Sequence, residues 1–139
     1  QLDVWNDESS FTMTVGGGAN AAQWQQNGTL VMGAKRDDLI EIRGGGLVRF
    51  ERGSLVLGYR SSNSSGALVS GTGTIRVDGT DGAAELQLQV SSYIGREGTG
   101  RLVVTNGGKV FSNNFDIRLG DSSGDGGGSA LRRYGAFRA

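Results

Sequence analysis

The sequence has no cysteine, no histidine and no proline in 139 residues. Without cysteine there is no disulfide framework and no thiolate metal site. Without histidine the commonest general base and the commonest zinc ligand are missing together. Without proline there is no Pro-rich linker, and strand ladders can run uninterrupted. Charge of one sign is lacking too. Fourteen basic and 14 acidic side chains cancel, so no electrostatic funnel toward nucleic acid or an acidic membrane is expected. No apolar run approaches the roughly 20 residues of a membrane helix, and no signal peptide is read at Gln1. The length fits one domain or a piece of a longer chain.

What is abundant is glycine. The 26 Gly far exceed the average share of about 7%, and the lack of a Gly-X-Y period excludes collagen. Their placement repeats. Gly71-Thr72-Gly73-Thr74-Ile75-Arg76-Val77 overlays Gly98-Thr99-Gly100-Arg101-Leu102-Val103-Val104 at an offset of 27 (98 − 71). The block Gly33 to Gly58 overlays Gly95 to Gly120 at an offset of 62 (95 − 33). Gly28-Thr29-Leu30-Val31-Met32-Gly33 overlays Gly53-Ser54-Leu55-Val56-Leu57-Gly58 at 25 (53 − 28). Repeats of this length signify a stacked array, because one repeat cannot bury its own apolar face.

The overlays assign faces. Ile40, Ile42, Val48, Leu55 and Leu57 correspond to Leu102, Val104, Val110, Ile117 and Leu119, and Ile75 and Val77 join the first column. Within each strand their spacing is two, which puts them on one face. The intervening positions vary freely (Glu41 and Val103, Arg49 and Phe111, Val56 and Arg118), as an outward face would. Leu86, Leu88 and Val90 extend the inner face. Three short strands per repeat with glycine corners are expected. Three regions follow: an irregular edge region over 1–28, clear repeats over 29–120, and a degenerate last repeat or cap over 121–139. Phe11 to Val15 alternates as a half-buried strand, whereas Ala19 to Gln26 is short and uncapped and reads as irregular or one helical turn. Tyr59 to Gly66, rich in Ser and Asn, reads as a loop leaving the third repeat.

The run Ile94 to Val110, with its Gly-Thr-Gly and Gly-Gly corners and the closing Leu119-Gly120, resembles the passenger repeats of bacterial autotransporters and related cell-surface proteins. The resemblance spans roughly Thr29 to Gly120. It implies a right-handed parallel β-helix and an extracellular or cell-surface location in a bacterium. No C-terminal membrane barrel or export signal accompanies it, so it leaves the secretion route open.

Candidate chemistry is sparse. Asp121, Ser123 and Asp125, followed by Gly126, copy the opening of a calcium loop, but its twelfth position is Arg132 where a bidentate Glu is required. Asp37-Asp38 is a poor acid/base couple, since neighbours on a strand point to opposite faces. Asp78-Gly79-Thr80-Asp81-Gly82 reads as turn chemistry. Glu41, Glu51, Arg43 and Arg49 are read as outward, and some parallel β-helix enzymes cleave acidic polysaccharides with clustered carboxylates and an Arg on that surface; alternating charges on a strand face are more simply solvation and pairing. The aromatics Trp5, Trp24, Tyr59, Tyr93, Phe111 and Tyr134 share no column.

The expectation is therefore an all-β solenoid of about five coils, a segment of roughly 24 Å at ~4.8 Å per coil. It has no catalytic residues and no cofactor. Its exposed strand edges, with Phe11, Met13 and Val15 as the candidate assembly edge, would pair end to end with copies of itself or with a longer chain. That makes a filament, stalk or matrix component. The alternative is an adhesin segment gripping surface glycans through the Ser-rich loop with Tyr59 and Tyr93.

Overall fold

The computed structural model describes residues 10–62, 65–113, 117–119, 127–133 and 136–138. Among them every regular element is a strand; no helix is long and apolar enough to cross a membrane. A first layer consists of β1 (Phe11–Val15), β2 (Ala22–Asn27) and β3 (Leu30–Met32). The second layer is β4 (Asp38–Ile42), β5 (Gly46–Arg52) and β6 (Ser54–Leu57). The excursion β7 (Arg60–Ser62) and β8 (Leu68–Ser70) follows. Two further layers are β9 (Thr72–Asp78), β10 (Glu85–Leu88) and β11 (Ser91–Ile94), then β12 (Thr99–Thr105), β13 (Lys109–Ser112) and β14 (Ile117–Leu119). Last come β15 (Gly127–Arg133) and β16 (Ala136–Arg138).

The layers build three parallel sheets. The first runs β1-β4-β9-β12-β15, the second β16-β13-β10-β5-β2, and the third β14-β11-β6-β3. Each strand thus pairs with its equivalent one repeat away, and the register reproduces the sequence offsets. Ile40 pairs with Ile75 and Ile75 with Leu102; Ile42, Val77 and Val104 follow two residues on. Val48, Leu86 and Val110 form a column of the second sheet. Met32, Leu57, Ile94 and Leu119 align in the third.

The inward residues make one interior. Ile40, Ile42, Val48, Leu55, Leu57, Ile75, Val77, Leu102, Val104 and Val110 are all buried, with Ile117 packed partly buried beside them. Strict alternation of buried and part-exposed residues along β4 and β10 is the period-2 signature of a strand covered on one face. Gly33, Gly58 and Gly95 each follow a strand of the third sheet at φ of 71°, 76° and 74°. This left-handed corner strains any residue with a Cβ, so the spacing of these glycines sets the repeat.

Three expectations need correction. Residues 22–27 are a strand, not an irregular or helical segment, so 1–28 is not irregular throughout. Trp24 and Gln26 align with Val48 and Phe50, and sheet pairing overrides the weak helical preference. The Ser-rich segment is not a plain loop, because β7 and β8 pair antiparallel as a hairpin. Val56 is buried rather than outward; it lies in register between Val31 and Tyr93, two large neighbours that cover it. Within 121–139, where either a last repeat or a cap is expected, Gly127–Arg133 and Ala136–Arg138 extend the first and second sheets beside β12 and β13.

Candidate functional site: strand edges and outer faces

The sheet orders place β1, β2 and β3 at one end of the stack and β14, β15 and β16 at the other. A strand at the end of its sheet has backbone N–H and C=O groups on its far side that no described strand takes, and such rows template pairing with another chain. In β1, Val15 is buried while Phe11 and Met13 are only partly buried against the interior. Its apolar side chains thus serve the core of this chain, and Phe11 and Met13 keep part of their surface exposed.

The outer face of the first sheet carries an open groove of about 650 Å³ lined by Asp37, Glu41, Thr74, Arg76 and Arg101 among others. Its charged groups are mostly engaged. Glu41 meets Nε of Arg43 at 3.4 Å, Arg43 reaches Asp81 at 3.0 Å, and Arg76 holds Asp78 at 3.3 Å. Arg49 and Glu51 stand instead on β5 of the second sheet. They form their own 3.3 Å pair, with Arg49 donating to Gln87 and Glu51 accepting from Gln25, both at 2.8 Å. The four outward residues therefore split into two pairs on different sheets, each of the kind that exposed alternation makes.

Asp37 lies just before β4 and Asp38 opens it, and their side chains do not come together. Asp37 accepts the backbone N–H of Thr72 at the surface, while Asp38 turns inward and is buried. Asp38 accepts from the N–H of Gly33 at 2.7 Å and of Phe11 at 3.2 Å. Sequence reasoning gave Asp38 no role. The signal lay in the 62-residue overlay, which matches Asp38 to Gly100.

The Asp78 turn is a local network. Thr80 donates to the Asp78 carboxylate through Oγ1 at 2.5 Å, and Asn106 donates through Nδ2 at 3.0 Å. Asn106 itself sits at φ 52° before Gly107, a conformation that Asn tolerates better than most residues. These hydrogen bonds, Thr80 first, hold the Asp78 pKa down to about 2 from 3.8. A depressed folded-state pKa contributes stability above the unfolded value and loses it as pH falls through the folded one. Between pH 4 and 2 the chain should lose on the order of 1–2 kcal/mol from this group. Urea midpoints across that window should fall less in Asp78→Asn; equal acid dependence in both proteins would refute this origin.

Asp121, Ser123 and Asp125 lie outside the described residues, as do Trp5 and Tyr134. Among the described residues, no group of three His, Cys, Asp or Glu could hold a metal ion. Trp24 packs edge-on against Phe50 at 5.7 Å. Guanidinium groups of Arg96 and Arg118 lie 5.1 and 5.7 Å from the ring centre of Tyr93.

Among the described residues, fold and surfaces define an all-β protein of parallel sheets that end in β1, β2 and β3 on one side and β14, β15 and β16 on the other. No known protein family, curated protein or solved structure matches the chain.

Proposed function

We propose that the chain is a right-handed parallel β-helix of about five coils serving as a non-catalytic scaffold outside a bacterial cell. It associates end to end through its strand edges, with copies of itself or with the rest of a longer chain. The observation that carries this reading is the presence of end strands in all three sheets at both ends of the stack. Net charge of zero adds little mutual repulsion against such pairing. We assign no reaction to it, since Glu41 and Glu51 are each tied to an arginine two residues along. The glycan-gripping alternative gains little from Tyr93, whose π face already has guanidinium groups over it.

Sedimentation velocity over a hundredfold concentration range, with electron microscopy of the same samples, tests the reading. A species larger than a monomer, more populated as concentration rises and elongated along the stack axis, is expected. A monodisperse globular monomer at every concentration would overturn it.

A further inference from the structure

The corner after each of β3, β6 and β11 carries one backbone donor that must be satisfied. After β6 the donor is Gly58 N–H, and it reaches the carbonyl of Met32 in the strand beneath at 2.8 Å. After β11 it is Gly95 N–H, which reaches the carbonyl of Leu57 beneath at 2.6 Å. After β3 it is Gly33 N–H, and its acceptor is Oδ2 of Asp38 at 2.7 Å. The other carboxylate oxygen takes Phe11 N–H.

The column in which Asp38 stands explains the exchange. Its register partners in later layers are Gly73, Gly100 and Gly128. A Cβ on Gly73 would lie 2.6 Å from the Met32 carbonyl oxygen and 2.9 Å from the Gly58 nitrogen. One on Gly100 would collide with the Leu57 carbonyl and the Gly95 nitrogen. So where a third-sheet strand lies beneath the corner, its carbonyl fills the space beside this column and only glycine fits. At Asp38 the side chain fills that space and supplies the acceptor itself. The carboxylate and an underlying carbonyl are mutually exclusive occupants.

We propose that Asp38 terminates the stack, closing its β3 side so that a strand of a second copy cannot pair beneath β3 in the register the other layers use. For association this deepens the scaffold reading and rests on it. Copies join through the face carrying β14, β15 and β16, and not β14 of one copy to β3 of the next. An open head-to-tail filament needs both faces, whereas a single sticky face gives closed pairs.

Two variants of the full chain separate the two roles of Asp38. Asp38→Ala removes the acceptor but keeps a Cβ in the way; Asp38→Gly removes both and restores the residue of the later layers. Amide exchange of Gly33 should accelerate at least about tenfold in both at low concentration, with Gly58 and Gly95 unchanged. In sedimentation at high concentration, only Asp38→Gly should form species larger than those of the wild type. Unchanged Gly33 exchange in Asp38→Ala overturns the proposal, even should Asp38→Gly fail to fold. Identical sedimentation of wild type and a folded Asp38→Gly also overturns it. A monomeric wild type beside an associating Asp38→Gly would sink the scaffold reading and leave the terminator standing.

Discussion

Phe50→Ala is expected to destabilise the chain by about 3–5 kcal/mol, the usual cost of truncating a fully buried phenylalanine. Phe50 is 0% exposed and is among the largest fully buried side chains of the interior. It is held in register between Gln26 on β2 and Leu88 on β10, with the Trp24 ring edge-on at 5.7 Å. Those neighbours belong to two different layers and cannot collapse into the void without breaking their own ladders, so relaxation is limited. The loss would be a large part of the roughly 5–15 kcal/mol that such a domain has in total. Urea unfolding should show the midpoint moving far down with little change in slope. Leu68→Ala, on the hairpin and 65% exposed, should move it by no more than about 0.5 kcal/mol. Equal shifts for the two variants would mean that Phe50 is not part of a packed interior.

Much of this arrangement was legible because stacking imposes it on the sequence. A repeat that buries its face only against neighbours must place apolar residues at equivalent positions, so the offsets of 27 and 62 read directly as the pairing of Thr99 with Thr72 and of Ile40 with Leu102 through Ile75. The corner glycines were legible for a similar reason, since the left-handed corner excludes nearly everything else.

What stayed hidden has physical causes too. Strand β2 was obscured by Gln26, a polar residue turned inward and 0% exposed, which breaks the apolar alternation that marks a strand. Val56 looked outward by parity, and only its neighbours across the ladder make it buried. The hairpin was masked by serines, which favour loops in isolation but accept strand geometry when two segments pair. Asp38 was hardest, because a carboxylate in a strand reads as solvent-facing unless its equivalent in the next repeat is examined.

The second large effect concerns the stacking itself. The chain has no cysteine, so introduced pairs report without background. Thr74 and Arg101 are register partners on β9 and β12, and both are accessible. Adjacent strands sit about 4.8 Å apart, inside the 4.4–6.8 Å Cα range of a disulfide. Leu39 stands in register with Thr74, hence two strands or about 9.6 Å from Arg101, beyond bridging distance. Oxidation of Thr74→Cys/Arg101→Cys should give a nearly complete intramolecular disulfide, and Leu39→Cys/Arg101→Cys should give almost none. A bridge forming at 39/101, or none at 74/101, would contradict the layered interior on which everything else here stands.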